Sequence, residues 1–274
     1  MRSLAGDLRR ELSERNASLA DDRPHESTNG AIPSFLYQEL DGTHGNFLTP
    51  SYRRICTSPE WSRRLKKTYS GSHRLARSDR VRRELDCASS SDALLMNIFC
   101  YPGVTHRKLL CALLGIRAGL RPKFGVKPGT PLANGRADRT EMDMVLGDLL
   151  VEAKLTEASF QRARPDLVLR YQDVHLVFDL ERLTDGQGRF EGYQLLRGVL
   201  AAHHCATRFA LFCDGRRGDL IEAYHRVLGA VRSCELRSRL QLVTWQELSD
   251  VLPRTMQAFL MQKYGIVPAG PFFV

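Results

Sequence analysis

The 274-residue sequence lacks the patterns that mark several large classes of protein. No stretch reaches the roughly 18 uncharged apolar residues that a membrane-spanning helix needs, and the charged N-terminal segment has no apolar region typical of a secretory signal. No repeat of solenoid period is present. The motifs of P-loop proteins, dinucleotide-binding folds, α/β-hydrolases and zinc proteases are also missing. These absences predict a cytoplasmic protein without membrane contact.

Cysteines are few and irregularly placed. There are seven, an odd number, and no two have the CxxC spacing of a thiolate metal site. Cys100, Cys111, Cys205 and Cys213 lie in apolar segments, as small core residues do. The pattern argues against a disulfide framework and against a zinc centre, and it favours a reducing compartment.

Acidic residues are scarce between Ser51 and Arg83, where two acidic side chains face eleven basic ones. This stretch therefore carries the whole net charge of +9. Three aromatic residues, Tyr52, Trp61 and Tyr69, are interleaved with the charges. Such a segment can follow a phosphate backbone and stack on bases, but a charge run on its own is more typical of a solvated helix or tail. The residues that we single out as nucleic-acid contacts are Arg63, Arg64, Lys66 and Lys67.

The composition divides the chain into three parts. Residues 1–50 are polar and rich in turn-forming residues, so we expect weak structure there. Residues 51–85 form the basic segment, and residues 86–274 form the packed domain.

Within the packed domain the hydrophobic patterns predict an α/β fold. The expected helices are 91–99, 106–116, 193–204, 219–231, 245–252 and 254–264, and the expected strands are 142–146, 149–155, 174–180, 208–213 and 240–244, with a further short strand at 123–126. The first two of these strands flank a turn signal, Gly147-Asp148, which predicts a hairpin feeding a mixed sheet.

This hairpin carries the charged residues most suited to catalysis. Side chains on a strand alternate between faces, so Glu141 and Asp143 project together, as do Glu152 and Lys154. Pairing of the two strands would set Asp143 beside Glu152. Two close carboxylates repel each other unless a cation lies between them, and such oxygen ligands suit Mg²⁺ or Mn²⁺. Lys154 could then orient or deprotonate an attacking water and offset charge on a phosphate.

The same residues have a simpler interpretation, because a Glu-x-Lys triplet on a strand is commonly a surface ion pair. Two observations favour the catalytic one. Glu152 and Lys154 lie in an otherwise apolar strand, and the order of elements around them is more restrictive than the triplet.

The pattern resembles the PD-(D/E)XK nuclease superfamily, the restriction-endonuclease-like fold, and in detail a bacterial branch of it. The similarity extends over about residues 86 to 215, although Met142 stands where the motif has proline. Its elements here are Ser90-Ser91 with Asn97, Thr140-Glu141, Asp143, Glu152-Ala153-Lys154, Thr156-Glu157 and the Tyr193-Gln194-Leu195-Leu196-Arg197 helix. The resemblance implies an αβββαβ core with a mixed central sheet flanked by helices, followed by a C-terminal β-α extension.

The resemblance also implies roles for individual residues. Asp143 and Glu152 would bind the metal, Lys154 would assist the water, and Gln194 would support the site. Glu141 is open to three roles: a ligand of a second metal, a contact of a water, or a partner of an arginine. Arg197, on the same helix face as Gln194, would contact a phosphate. A carboxylate on the first core helix is frequent in relatives, and Asp92 is the nearest candidate.

Taken together, these expectations describe a Mg²⁺- or Mn²⁺-dependent endonuclease that hydrolyses DNA by in-line attack of water. The alternative is a catalytically silent nuclease-fold module that binds nucleic acid or a protein partner. The basic segment does not distinguish RNA from DNA, since phosphate contacts read neither base nor sugar. A homodimer that presents two sites to two strands is consistent with the resemblance.

Overall fold

The structure is a computed structural model that describes residues 3–20, 22–28, 31–68 and 82–270. Its helices are α1 (Leu4–Ala20), α2 (Thr49–Thr57), α3 (Pro59–Ser62), α4 (Ser91–Phe99), α5 (Lys108–Leu114), α6 (Pro165–Leu169), α7 (Val174–Val177), α8 (Tyr193–His204), α9 (Gly218–Ala230), α10 (Cys234–Ser238), α11 (Trp245–Asp250) and α12 (Arg254–Tyr264). Its strands are β1 (His25–Ser27), β2 (Phe35–Tyr37), β3 (Glu39–Leu40), β4 (Thr43–His44), β5 (Lys123–Val126), β6 (Met142–Leu146), β7 (Leu149–Ala153), β8 (Arg162–Ala163), β9 (Phe190–Glu191), β10 (Arg208–Cys213) and β11 (Leu240–Thr244). Short 3₁₀ turns span Arg63–Lys66, Glu84–Asp86, Val104–His106 and Leu180–Leu183.

The chain forms two compact units, and the boundaries differ from the three-part division suggested by composition. One unit combines Met1–Pro122 with Trp245–Val274, and the other is Lys123–Thr244. Residues on both sides of position 85 therefore belong to one unit, because buried apolar side chains occur throughout its N-terminal part. None of the helices in the described ranges is both long and apolar enough to cross a membrane.

A five-stranded mixed sheet organises the Lys123–Thr244 unit. The strand order is β11-β10-β7-β6-β5. The pairs β5/β6 and β6/β7 are antiparallel, whereas β10 pairs in parallel with both β7 and β11. The predicted α/β class is confirmed, with a mixed central sheet, flanking helices and a C-terminal β-α extension in β11, α11 and α12.

The predicted strand at 174–180 is wrong. Val174–Val177 is a short helix, α7, and Leu180–Leu183 is a 3₁₀ turn. Val174, Val177 and Phe178 are buried while Leu176 is 66% exposed, which is helical spacing rather than alternation. The three strands of the central sheet that precede α8 are instead β5, β6 and β7, so the αβββαβ order is retained with the short strand 123–126 as its first strand.

The N-terminal part of the chain is more ordered than its composition predicts. Helix α1 has 17 residues and packs against β2 and α12. Its buried residues Ala5, Leu8, Leu12, Asn16 and Ala20 recur every three or four positions. Only two of the five are strongly apolar, so the hydrophobic pattern does not reveal the full stripe.

Polar side chains complete the packing of this unit. Asn97 is buried, accepts from Leu48 N at 2.7 Å and donates to the carbonyls of Asn46 and Ala93. Asn97 lies among apolar residues in the sequence, which favours a buried amide satisfied by backbone, and these bonds confirm that expectation. Ser90 caps α4 by accepting from Ala93 N, as its position in the sequence predicts.

A buried lysine joins the two chain segments of the same unit. Lys263, on α12, donates from Nζ to Asn16 Oδ1 at 2.7 Å, and its ammonium lies over the Tyr37 and Tyr264 rings. Burial and the charge of Arg23 lower the pKa of Lys263 well below its ordinary value, with Cys87 opposing them. Contact between α1 and α12 therefore places an ionisable group inside the core.

We predict that Lys263→Met removes part of the rise of stability with pH. The folded lysine has a depressed pKa and the unfolded one an ordinary pKa of 10.5, so folding releases a proton between these values. In that window the free energy of unfolding rises with pH by up to about 1.4 kcal/mol per pH unit. Methionine cannot titrate, and Asn16 Oδ1 retains its donor Tyr37 Oη. Urea unfolding between about pH 7 and 9.5, below the titration of tyrosine, measures the slope.

The exposed Lys108→Met variant is the control, since it removes a solvated charge. Equal slopes in both variants and the natural chain would contradict the prediction.

Candidate active site

The β6–β7 hairpin brings together the charged residues singled out from the sequence. Met144 pairs with Val151 and Leu146 with Leu149, so the next pair along the ladder sets Asp143 opposite Glu152. Gly147, with φ +64°, makes the tight turn that fixes this register. Asp143 Oδ2 accepts a hydrogen bond from Ala153 N at 2.7 Å. The carboxylate of Asp143 is thereby held against the end of β7.

Lys154 follows β7 and points back to its neighbour on the same face. Its Nζ donates to Glu152 Oε1 at 2.6 Å, and both residues are only 5% exposed. Burial would lower the pKa of Lys154, but the charges of Glu152, Glu157 and Asp143 outweigh it and raise that pKa. The pair is therefore a buried ion pair, in contrast to the exposed pairs typical of this triplet.

Glu157 is a member of the cluster that sequence reasoning did not assign. Its Oε2 accepts from Leu155 N at 2.6 Å, and its charge acts on Lys154. The charges of three carboxylates thus act on one ammonium, an excess of negative charge that favours a cation. The sequence signal was its place three residues after Lys154, within the segment that resembles the nuclease motif.

The donor set fits Mg²⁺ rather than a metal that needs several protein ligands. Among residues 3–20, 22–28, 31–68 and 82–270, no group of three or more His, Cys, Asp or Glu side chains is arranged to hold a metal. Mg²⁺ commonly binds through one or two carboxylates and keeps several waters. Asp143 and Glu152 supply two such carboxylates on adjacent strands.

Helix α8 carries Gln194 and Arg197 and packs directly on the sheet. A Cβ at Gly198 would lie 2.3 Å from Phe209 on β10, so glycine permits this close approach. Gln194 is half-buried, and its backbone N–H bonds to Phe160 O at 3.0 Å. Gln194 is therefore anchored to the segment that follows the Glu152–Lys154 strand.

Arg197, predicted to contact a phosphate, lies beside an internal carboxylate. Its Nε is 3.4 Å from Asp138 Oδ2, and its guanidinium stacks over the Tyr193 ring. Burial would raise the pKa of Asp138, but hydrogen bonds from Tyr171 and Thr140 and the charge of Arg197 hold it below its usual range. Asp138 thus neutralises the charge of Arg197, which the sequence analysis predicted to contact a substrate phosphate.

Glu141 lies at the start of the same hairpin and has a basic neighbour. Its Oε1 is 3.9 Å from Lys127 Nζ, and the glutamate is partly exposed. Its proposed contact with a second metal stays a prediction.

The four basic residues proposed to contact nucleic acid fall into two pairs. Arg64 Nη2 and Lys67 Nζ bind Asp92 Oδ2 at 2.7 and 3.0 Å, so the structure engages these two internally. Burial would raise the pKa of Asp92, but Lys67 and Arg64 outweigh it and keep the carboxyl ionised. Arg63 and Lys66, by contrast, are exposed.

The aromatic residues of the basic segment do not stack on bases in this structure. Tyr52 and Trp61 are each only 2% exposed, so their rings belong to the core. The prediction of base stacking is therefore wrong for these two, because apolar rings next to charges pack inward when the helix has one buried face. Tyr69 lies outside the described residues.

Asp214, Arg216 and Arg217 follow β10, where their sequence favours a turn with solvated charges, and this expectation is wrong for Asp214 and Arg217. Asp214 and Arg217 are both 0% exposed. Arg217 donates to Leu155 O at 3.1 Å and to Ala158 O at 3.5 Å, and it binds both oxygens of Asp219. Arg217 therefore fastens the chain just beyond Lys154. Composition gives no sign of this; only the parallel β7/β10 pairing brings the two strand ends to one edge.

The chain matches one family over residues 14–265, and the family is described as Restriction Endonuclease associating with ARP. The chain belongs to this family. Membership in the restriction endonuclease family indicates a nuclease-type function and a nucleic-acid substrate. No curated protein and no solved structure matches the chain. The match includes every residue of the Asp143, Glu152 and Lys154 cluster.

We predict that Arg217→Met lowers the free energy of unfolding of this restriction endonuclease family member by about 2–4 kcal/mol. The reason is that the backbone carbonyls of Leu155 and Ala158 lose a buried hydrogen-bond donor. Guanidinium denaturation measures the change. Arg164→Met is the matched control, since Arg164 and its partner Asp166 are largely exposed and such pairs contribute at most about 1 kcal/mol. An equal loss in the two variants would show that Arg217 does not hold the segment.

Proposed function

We propose that this chain is a metal-dependent endonuclease that hydrolyses phosphodiester bonds of DNA. The observation that carries the proposal is the cluster of the partly buried Asp143 with the buried Glu152 and Lys154 at the end of a central hairpin strand, in a chain of the restriction endonuclease family. An ion pair on the protein surface stays hydrated, whereas burying two charges costs desolvation free energy. This arrangement agrees with the PD-(D/E)XK pattern.

In this proposal Asp143 and Glu152 hold Mg²⁺ or Mn²⁺ through their carboxylate oxygens. When bound, the cation would supply Lewis acidity and an activated water. Ala153 N–H orients the Asp143 carboxylate by its 2.7 Å hydrogen bond. Glu141 is the further carboxylate proposed for a second cation or a water.

Lys154 positions the attacking water and offsets charge on the phosphate. Its ammonium is fixed by Glu152 Oε1 at 2.6 Å, and a fixed cation in a desolvated site stabilises developing negative charge without reorganisation. Gln194 supports the site from α8, and Arg197 is proposed to reach a phosphate oxygen in exchange for Asp138.

The second candidate is a module of the same fold that binds nucleic acid or a protein without cleaving. This candidate is supported by the small number of metal ligands at the site. Among the described residues, no group of three or more His, Cys, Asp or Glu side chains is arranged to hold a metal. The family name mentions ARP, and a protein partner is consistent with this candidate. Under either candidate we place the chain in the cytoplasm of a bacterium, where seven cysteines that form no disulfide in the described residues suit a reducing compartment.

Glu152→Gln and Lys154→Met should each lower metal-dependent cleavage by at least about 100-fold, because one loses a ligand charge and the other loses a transition-state cation. The assay uses supercoiled plasmid, single-stranded DNA and RNA with Mg²⁺, Mn²⁺ or EDTA. Circular dichroism verifies that each variant is folded. The exposed Glu181→Gln serves as the control and should cleave like the natural chain.

Cleavage that persists in Glu152→Gln would mean that the site is misassigned. Binding without cleavage by the natural chain, in every metal and with every substrate, would favour the second candidate.

Arg63→Gln and Lys66→Gln should weaken DNA binding at low salt and reduce the salt slope by about 0.9 per lost phosphate contact. Both side chains are exposed, so stability should not change. Arg64→Gln is the contrasting variant, because it leaves the buried Asp92 with one partner fewer and should lower the melting temperature. Fluorescence anisotropy over a salt series measures the slopes, and an unchanged slope in the Arg63→Gln, Lys66→Gln double variant would exclude this surface.

A further inference from the structure

A polar cleft lies within the unit formed by residues 1–122 and 245–274. Its volume is about 340 Å³, and its walls come from α2, α3, the Val104–His106 turn and the segment before β5. Its charged and titratable lining residues are Arg54, Arg121 and His106. None of the carboxylates in the described part of the chain lines it. The cleft is therefore electropositive, although the candidate active site makes no use of it.

The two arginines are arranged on one fixed platform. The guanidinium carbons of Arg54 and Arg121 lie 5.5 and 5.0 Å from the centroid of the Trp61 ring. Trp61 is buried and donates from Nε1 to Pro122 O at 2.9 Å, so the platform cannot turn freely. Stacking on a fixed ring reduces the entropy that each arginine would lose on binding a ligand.

Both guanidiniums have donors left for a ligand. Each carries five N–H groups. Among the described residues, Arg54 donates to Tyr101 O at 3.3 Å, and Arg121 donates to Ser58 Oγ at 2.9 Å and stands 3.9 Å from Glu60 Oε2. Both arginines line the same cleft, so an anion bound there would be attracted by two positive charges.

The remaining lining also suits an anion of tetrahedral shape. The hydroxyl-bearing residues Thr57, Ser58 and Thr105 belong to the wall. The His106 ring packs against Gly119, where an added Cβ would lie 2.9 Å from its Cε1. A planar guanidinium fork recognises phosphate by paired hydrogen bonds, and hydroxyls and an imidazole complete such sites.

Another cleft, of about 230 Å³, has a different character. It is lined in part by Arg162, Glu191, Asp219 and Arg226. Glu191 forms ion pairs with both Arg162 and Arg226. Its charges are balanced within the protein, so it offers an anion no comparable site.

We propose that the cleft of Arg54, Arg121 and His106 binds a phosphate group. Two sources carry this chemistry: the internal phosphodiester of a nucleic acid and a terminal phosphate of a nucleotide or a cleaved end. The site is independent of the proposed cleavage reaction, because none of its residues belongs to the Asp143 cluster.

The experiment is a phosphate titration of the full chain in EDTA, followed by the NMR signals of the His106 imidazole. His106→Gln identifies those signals among the eight histidines. Inorganic phosphate should shift them in the natural chain and in Arg117→Gln, an exposed arginine outside the lining. The Arg54→Gln, Arg121→Gln double variant should bind at least tenfold more weakly. Unshifted His106 signals in the natural chain, or unchanged binding in the double variant, would overturn the proposal.

Two further arms distinguish the sources. A thymidine dinucleotide carries only a diester, whereas 5′-phosphorylated and 5′-hydroxyl oligonucleotides differ only in a terminal phosphate. Tighter binding of the 5′-phosphorylated oligonucleotide would identify a terminal phosphate as the ligand. Equal binding of the two oligonucleotides, together with binding of the dinucleotide, would identify the backbone phosphodiester as the ligand. Arg54→Lys keeps the positive charge but loses the planar guanidinium fork. Weaker phosphate binding by this variant, with an unchanged melting temperature, would show that Arg54 recognises phosphate and does not merely support the fold.

Discussion

The burial of strand β7 is the constraint on which the candidate site depends. Every residue of Leu149–Ala153 is buried, because β6 pairs on one side and β10 on the other. A charge placed on such a strand cannot be solvated, so Glu152 and Lys154 must neutralise each other where they stand. The register of the hairpin then adds Asp143, and Arg217 holds the chain beyond Lys154. Precise placement of these charges follows from the burial of Glu152 and Lys154.

The basic residues of the 51–85 segment have different environments in the fold. Arg64 and Lys67 neutralise the buried Asp92, Arg63 and Lys66 remain exposed, and Arg54 stacks on Trp61. Net charge alone treats these residues as equivalent. The difference arises from the 3₁₀ turn at Arg63–Lys66, whose tight geometry sends neighbouring side chains in different directions.

Local patterns in the sequence predicted the elements with strong periodicity. Helices Tyr193–His204 and Arg254–Tyr264 and strand Arg208–Cys213 have the expected bounds, and the β6–β7 hairpin is present. The failures have physical causes. Val174–Val177 is too short for periodicity to separate helix from strand, and the buried stripe of α1 includes alanine and asparagine. The buried roles of Arg217 and Asp138 depend on partners distant in sequence, which no local pattern contains.

The contact between Lys263 and Asn16 has a consequence for the order in which the chain folds during synthesis. The two residues are 247 positions apart, so α1 leaves the ribosome long before α12 exists. At the usual rate of about 5–20 residues per second, the delay is roughly 10–50 s. The whole Lys123–Thr244 segment, with all five strands of its sheet, emerges within that interval. The sheet can therefore form during translation, whereas the surface of α1 that α12 covers stays open to chaperones until α12 has been synthesised.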